Sequence, residues 1–181
     1  MTSSRLTHLE CPECGIRYDA DTVHGLCHCG SPLFARYDLT AAAAAVTPAD
    51  IAARAPTLWR YRELLPVRDP AYIISLGEGM TPLLPLRRLG KRYDLPGLLM
   101  KDDGLLPTGT FKARGAAVAV SRAAELGVRA AAMPTNGNAG AAWAAYAARA
   151  GIRMLVAMPV DAPAITRAEI RAAGAELYLV R

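Results

Sequence analysis

The segment "VRAAAMPTNGNAGAAWAAYAARAGIRMLVAMP", residues 128–159, determines the fold class. It contains an apolar strand, a loop of asparagine and glycine, an alanine-rich helix that ends at Gly151, and a second apolar strand. Glycine is the preferred residue for the left-handed turn that ends many helices, and a helix between two apolar strands is typical of parallel pairing. The segment therefore predicts a strand–helix–strand unit with parallel strands.

The same alternation continues on both sides of this unit. A strand in "GLLMKDD" and a helix over residues 111–126, closed by Gly127, precede it. A helix in "APAITRAEIRAA", closed by Gly174, and the strand "AELYLV" follow it. This pattern favours an α/β fold with a mostly parallel sheet, right-handed crossovers and flanking helices. Because both faces of a parallel sheet need cover and the last strand ends beside Arg181, we expect an incomplete sheet, truncated at its C-terminal end.

The composition narrows the class of protein. With 181 residues, 52% hydrophobic and 20% charged, the chain can bury one core and carry a small appendage. The net charge of +5 comes from arginines scattered among acidic residues, so we expect no nucleic-acid surface. No stretch approaches the roughly 18 apolar residues of a membrane helix, and "MTSSRLTHLE" has no signal-peptide core. We therefore expect no membrane partner and a cytoplasmic location.

The chain divides into three parts. Residues 1–38 contain all four cysteines and form a small zinc-ribbon-like unit, called the cysteine module below. Residues 39–97 form a connecting helical segment and the first part of the main fold, and residues 98–181 form the α/β region.

The connecting segment carries local signals of its own. Thr47 before Pro48, with Asp50 in the first turn, predicts a capped helix start. Residues 59–65 predict a second short helix, and residues 72–75 a short strand.

The cysteine module offers four soft ligands. A Cys-x2-Cys pair is followed, after twelve residues, by Cys-x-Cys, which supplies the metal ligands Cys11, Cys14, Cys27 and Cys29. Four thiolates close a tetrahedral zinc site, and metal binding could supply folding free energy to a module with little core. Gly15 and Gly30 provide the tight turns that such a site needs. A metal-free ribbon, a redox thiol pair, and substitution of His24 or His28 as ligands stay open.

Lys112, in "LLPTGTFKARG" (residues 105–115), is one of only three lysines in the chain. It stands at a predicted helix start, where the helix dipole disfavours its protonated form, and the apolar neighbour Phe111 would add desolvation. Both effects favour a nucleophilic amine. The alternative is a helix-start lysine that simply reaches solvent.

The loop in "PTNGNAGAAW", residues 134–143, follows a strand and opens a helix. Its backbone N–H groups would suit a carboxylate or phosphate, although an ordinary capping loop is the alternative. Open α/β sheets bind ligands at the carboxyl ends of their strands, where this loop and Lys112 would meet. A covalent lysine facing an anion-binding loop is typical of a pyridoxal-phosphate site.

These motifs carry a family resemblance. The cysteine module, "LWRYRELLPV", "SLGEGMTPLLPL", "KDDGLLPTGTFKARG" and "PTNGNAGAAWAAYAARAGI" occur in the order and spacing of the amino-terminal part of threonine synthases. The chain resembles that part of the tryptophan-synthase-β (fold type II) family of pyridoxal-phosphate enzymes. The resemblance implies that Lys112 forms the Schiff base, that Phe111 lies at the cofactor, and that Asn138 bonds its 3-hydroxyl. It also implies a loop for the substrate carboxylate, formed by Thr135, Asn136, Gly137, Asn138 and Ala139.

The chain departs from the family pattern at several positions. The family usually has Lys-Asp-Arg where this chain has Ala113 after the lysine, and asparagine is common at the position of Leu106. It usually has Ser/Thr-Gly-Asn-Thr where this chain has Asn136 and Ala139 at the two ends. The lysine and the cofactor asparagine are present, whereas the carboxylate pocket is altered.

The resemblance implies a lyase that converts O-phosphohomoserine and water to threonine and phosphate, with a small-molecule amino-acid substrate and a homodimer at full length. A serine/threonine dehydratase, a β-replacement enzyme and a non-catalytic zinc-ribbon interaction module are the alternatives. It also implies that the glycine-rich cradle for the cofactor phosphate lies beyond Arg181. We therefore expect the isolated 181-residue chain to be inactive.

Overall fold

The structure is a computed structural model that describes residues 4–181. In chain order its strands and helices are β1 (Leu6–Glu10), β2 (Arg17–Asp19), β3 (Phe34–Tyr37), α1 (Leu39–Ala45), α2 (Pro48–Ala53), β4 (Leu83–Pro85), α3 (Arg87–Arg92), β5 (Leu99–Lys101), α4 (Lys112–Glu125), β6 (Ala130–Pro134), α5 (Asn138–Ala150), β7 (Arg153–Pro159), α6 (Ala164–Ala172) and β8 (Glu176–Val180). Short 3-10 helices lie at Leu58–Leu64, Pro70–Tyr72, Asp103–Leu105 and Pro107–Gly109.

The predicted α/β fold is confirmed. Strands β6, β7 and β8 form a parallel sheet in that order, with α5 and α6 as the crossovers and α4 packed against α5. Met154, Val156 and Met158 alternate along β7 and are buried in one core with α4, α5 and α6. The helices therefore cover one face of the sheet, because right-handed crossovers in a single direction place their helices on the same side.

The opposite face of this sheet is apolar and open within residues 4–181. Leu155 and Ala157 line a shallow depression of about 360 Å³ there, together with side chains of β6 and Tyr178.

The helix ends follow the sequence signals. Gly127, Gly151 and Gly174 all have positive φ, between 68° and 80°, as expected for the residue that closes a helix. At the start of α2, Thr47 accepts a hydrogen bond from the Asp50 N–H while the Asp50 carboxylate accepts from the Thr47 N–H. These local predictions are confirmed, because each depends on residues only a few positions apart.

Two local predictions need correction. Residues 72–75 do not form a strand: Asp69 and Pro70 start a 3-10 turn, and the Ile74 N–H donates to the Ser121 hydroxyl at 2.8 Å. Strand β5 does not join the parallel sheet but pairs antiparallel with β4. The short helix expected over residues 59–65 is present as the 3-10 helix Leu58–Leu64.

The cysteine module contains the antiparallel sheet β2-β1-β3 and docks onto the last turns of α4. Asp21 of the module accepts from Arg68 at 2.6 Å and from Arg122 of α4 at 2.5 Å. Arg122 also donates to the Ala20 carbonyl and pairs with Glu125. The far end of the lysine-bearing helix is thus tied to the module.

None of the helices in residues 4–181 is long and apolar enough to cross a lipid bilayer.

Candidate active site and cysteine cluster

Lys112 is the first residue of α4. Its backbone N–H donates to the Thr110 hydroxyl at 3.3 Å, which supplies a side-chain acceptor for the helix start. Its Nζ lies 4.6 Å from the centre of the Phe111 ring. Phe111 is 61% exposed and Lys112 is itself exposed, so the ring contacts the amine without burying it. The expected desolvation of the amine by Phe111 is therefore not present within the described part of the chain.

The chain enters α4 through a constrained turn. Thr108 and Gly109 both have left-handed φ angles, 66° and 67°, after the buried Leu106. A left-handed conformation is costly for a β-branched residue such as threonine, so packing must hold this turn in place. The 3-10 helix that contains it contacts both α4 and α5.

Arg114, two residues after Lys112, fixes the start of α4 to the loop after β5. Its guanidinium donates twice to the Asp103 carboxylate, at 2.9 and 3.1 Å. The Thr81 hydroxyl donates to the same carboxylate at 2.7 Å. The hydrogen bonds from Arg114 and then Thr81 lower the pKa of Asp103 to about 2. The sequence interpretation missed this pairing, since Asp103 and Arg114 lie in different elements.

The loop before α5 is built on Thr135. Its hydroxyl accepts from the N–H groups of Gly137 and Gly140, both at 3.2 Å, and its own N–H donates to the Ala157 carbonyl at 2.9 Å. Asn136 and Asn138 have exposed side chains, and Ala139 is half-buried. The predicted loop is therefore present, with Asn138 as the first residue of α5.

The starts of α4 and α5 lie at the same end of the fold. The two helices pack together. Along the chain, α4 is followed by β6, which runs back, and then by α5, so the two helices run in the same direction. Both consequently begin where β6 and β7 end, the edge at which open parallel sheets bind ligands. The order and packing of these elements place Lys112 and Asn138 at one edge, and their roles toward a cofactor stay a prediction.

Glu78 is a buried acid that the sequence interpretation did not single out. Its side chain is 0% exposed and accepts from the Tyr146 hydroxyl at 2.6 Å, the Trp59 indole at 3.1 Å and the Leu76 N–H at 3.0 Å. Burial, followed by the hydrogen bond to Glu78, raises the pKa of Tyr146 above its ordinary value. The phenol therefore stays protonated and donates to the carboxylate.

The groups at this edge match the chemistry of a pyridoxal-phosphate site. Lys112 offers an accessible amine, and Asn138 an accessible amide N–H. The first N–H groups of α5, at Asn138 and Ala139, have no acceptor within the helix and can bind an anion. The donor set therefore fits a cofactor with an aldehyde and a ring hydroxyl, and a substrate with a carboxylate.

The four cysteines converge at one end of the module. All four Sγ atoms lie within 4.8 Å of one another, and the pairs Cys11–Cys29 and Cys14–Cys27 are each 3.5 Å apart. Four thiolates around zinc at about 2.3 Å would be about 3.8 Å apart, so this spacing suits a tetrahedral site.

The backbone around the cysteines forms two tight turns. Gly15 and Gly30 have positive φ angles of 73° and 87°, and their N–H groups donate to the carbonyls of Cys11 and Cys27. Neither histidine is needed to complete the set: His24 contacts Thr22 and Asp19, and His28 lies beside Cys27 and Tyr18.

The region that contains Lys112 and Asn138 matches a known protein family. The family described as "Pyridoxal-phosphate dependent enzyme" matches residues 74–181, more than half of the chain. The chain belongs to this family. The match includes both the Lys112 turn and the Asn138 loop.

Individual proteins that are similar in sequence to this chain are threonine synthases. The chain is 41% identical over 149 residues to a threonine synthase from Methanocaldococcus jannaschii, covering 82% of this chain and 37% of the relative. It is 36% identical over 177 residues to a threonine synthase from Methanosarcina acetivorans, covering 96% of this chain and 42% of that one. It therefore spans about two fifths of the length of these relatives.

A solved structure supports the same fold. A pyridoxal 5'-phosphate-dependent aspartate racemase superposes with a TM-score of 0.51 and 30% sequence identity, covering 55% of this chain and 32% of the racemase.

Proposed function

We propose that this chain supplies the lysine-bearing part of a threonine-synthase-type lyase, which converts O-phosphohomoserine and water to threonine and phosphate. The observation that carries the proposal is the common edge at which α4 and α5 begin with Lys112 and Asn138. Family membership supports the cofactor, pyridoxal 5'-phosphate, and the names of the two relatives support the reaction.

The residues at this edge would divide the work. Lys112 would attach the cofactor through its amine and, once released, move the substrate α-proton. Asn138 would donate to the cofactor hydroxyl, and Phe111 would lie against the cofactor. When bound, the pyridoxal ring supplies an electron sink for carbanion chemistry. The loop from Thr135 to Ala139 would hold the substrate carboxylate through backbone N–H groups.

The altered loop keeps other reactions of the family open. Ala139 has no hydroxyl to offer a substrate carboxylate, and the exposed Asn136 offers an amide instead. A serine/threonine dehydratase or a β-replacement enzyme is therefore the second candidate. A non-catalytic role for the chain is the third.

We also propose that the cysteine cluster binds structural zinc. Its Sγ spacing and its two glycine turns support a tetrahedral tetrathiolate site. Four thiolates leave no open position for substrate, so the metal would stabilise the module and take no part in the reaction.

The remaining expectations stay predictions. They are a small-molecule amino-acid substrate, a homodimer at full length, and part boundaries after residues 38 and 97.

The substrate proposal can be tested by spectroscopy on the 181-residue chain saturated with pyridoxal phosphate. O-phosphohomoserine, serine and threonine would each be titrated while the cofactor absorbance is recorded, with Lys112→Ala as the baseline. We expect O-phosphohomoserine to change the spectrum at the lowest concentration. A response to serine or threonine with none to O-phosphohomoserine would transfer the assignment to the dehydratase or β-replacement class.

Deuterium exchange provides a second readout. We expect the isolated chain to form no threonine, but α-proton exchange is a partial reaction that needs only the amine and the bound cofactor. If Lys112 moves the α-proton, the chain should exchange the α-hydrogen of the responding amino acid with D2O faster than Lys112→Ala does. Lys91→Ala is the matched control, because it removes an exposed lysine of α3 and leaves the contacts of Thr81, Asp103 and Arg114 in place.

A further inference from the structure

We propose that Glu78 and Asp103 are positioning residues, which together hold the Lys112 end of α4 at a fixed place relative to the Asn138 end of α5. The inference rests on the proposed function, because this relation matters only if both side chains contact one cofactor.

Glu78 connects its loop to α5. Both oxygens of the fully buried carboxylate are used: Oε2 accepts from Tyr146 and the Leu76 N–H, and Oε1 accepts from Trp59. Tyr146 lies about two turns after Asn138 on the same helix. A shift of the Glu78 carboxylate would therefore break its bond to the helix that begins with Asn138.

Asp103 connects the other end of the same loop to α4. Thr81, three residues after Glu78, donates to Asp103 at 2.7 Å, and Asp103 holds the Arg114 guanidinium by two hydrogen bonds. Arg114 lies within the first turn of α4, two residues after Lys112. Hydrogen bonds of side chains thus connect α5 to one end of residues 78–81 and the start of α4 to the other, and the backbone of residues 78–81 joins them.

The segment that joins the two carboxylates has little freedom to move. The Leu58 N–H donates to the Glu78 carbonyl at 3.1 Å, and the Met80 N–H donates to the Pro56 carbonyl at 3.2 Å. A Cβ added at Gly79 would overlap the same Pro56 oxygen, so the two backbones are already in contact. Residues 78–80 are therefore pinned against residues 56–58, and the loop can act as a rigid link.

Glu78 has an orienting role beyond its contribution to stability. A buried carboxylate carries a large desolvation cost, so its hydrogen bonds add less net stability than their number suggests. Their fixed geometry nevertheless sets where Tyr146 and Trp59 lie. Replacing the carboxylate by an amide keeps the shape but turns one acceptor into a donor that faces another donor.

The test is a double-mutant cycle on cofactor affinity. The apparent Kd for pyridoxal phosphate would be measured by absorbance titration, after subtraction of the Lys112→Ala signal, in Glu78→Gln, Asp103→Asn and Asn138→Ala. Each variant should weaken binding about tenfold, the size of effect expected when a hydrogen-bond partner at the cofactor, or one that positions the two helix starts, is lost. Glu176→Gln is the control, because it removes a carboxylate that pairs with Arg153 at 2.6 Å on β7, in the parallel sheet.

Non-additivity distinguishes positioning from plain destabilisation. Once Glu78→Gln has displaced the two helix starts, Asn138→Ala should cost less than twofold more, whereas independent effects would multiply. All measurements would be made at a temperature where circular dichroism shows a folded chain. If Glu78→Gln does not fold, Tyr146→Phe removes one bond to the carboxylate while keeping the ring, and it enters the cycle in its place.

The outcomes separate this inference from the proposed function. Wild-type affinity in the folded Glu78→Gln and Asp103→Asn variants, or effects that multiply with Asn138→Ala, would overturn the positioning role while Lys112 keeps its assignment. Equal binding by wild type and Lys112→Ala would overturn the proposed function, and this inference with it.

Discussion

Gly140→Ala is the substitution for which the structure gives the clearest expectation. Gly140 lies in the first turn of α5, above the strands β6 and β7. A Cβ at this position would overlap the Thr135 Cγ2 methyl and would lie 3.2 Å from both Val156 and Ile170. Thr135 cannot rotate away freely, because its hydroxyl accepts hydrogen bonds from Gly137 and Gly140.

Two opposing effects determine how much Gly140→Ala changes the free energy of unfolding. Alanine in place of glycine favours a helix by about 1 kcal/mol. Overpacking a close-packed core costs about 1 to 3 kcal/mol, and rotating Thr135 would also break hydrogen bonds of about 1 kcal/mol each. The packing cost is the larger, so we expect Gly140→Ala to lower the free energy of unfolding by about 1 to 2 kcal/mol, or Tm by about 2 to 8 °C.

Gly115→Ala is the matched control. Gly115 is also in the first turns of a helix, but a Cβ there would meet nothing within 4 Å. Only the helix preference remains, so this variant should be as stable as wild type or up to about 1 kcal/mol more stable. Urea denaturation followed by circular dichroism measures both variants. A Gly140→Ala chain as stable as Gly115→Ala would refute the claim that α5 approaches the sheet too closely for a side chain.

Three further predictions concern the sites. Purified under reducing, chelator-free conditions, the chain should contain about one zinc by elemental analysis, and less than about half would contradict the tetrathiolate site. Asn138→Ala should weaken cofactor binding by about 1 to 3 kcal/mol, whereas Asn136→Ala should act on the substrate; equal cofactor affinity in wild type and Asn138→Ala would remove the role assigned to that amide. Because the folded-state pKa of Asp103, about 2, lies below its ordinary value of 3.8, its ion pair stabilises the chain above about pH 4 and is lost as the pH falls through 2. Its side chain is 24% exposed, so after screening by solvent we expect Asp103→Asn to cost about 1 kcal/mol at pH 6 and almost nothing near pH 2. A stability difference independent of pH would contradict this assignment.

The sequence predicted the elements whose signals are local. The helices that end at Gly127, Gly151 and Gly174 and the parallel strands between them follow from patterns a few residues long. Strand β5 was predicted, but its partner was not, because antiparallel pairing with β4 depends on a fold-level contact that no short pattern encodes.

The hydrogen bonds of Glu78 and of the Arg114–Asp103 pair were not predicted from the sequence. Glu78 stands between two glycines in "LGEGM", a context typical of an exposed loop. It is buried because Trp59 and Tyr146, from distant parts of the chain, supply donors for its carboxylate. Arg114 was noticed only as part of a family pattern, while its bond to Asp103 required the start of α4 to meet the segment after β5. Non-local contacts of this kind decide which charged residues are buried.

We expect the start of α4 to present Lys112 to pyridoxal phosphate. The most direct measurement is to add pyridoxal phosphate to the 181-residue chain, reduce it with borohydride and map the label by peptide mass spectrometry. Lys91 and Lys101 are internal controls, since they are also exposed but do not begin a helix facing an anion-binding loop. We predict that Lys112 carries most of the label. Label distributed evenly over the three lysines would show that Lys112 has no preference for pyridoxal phosphate.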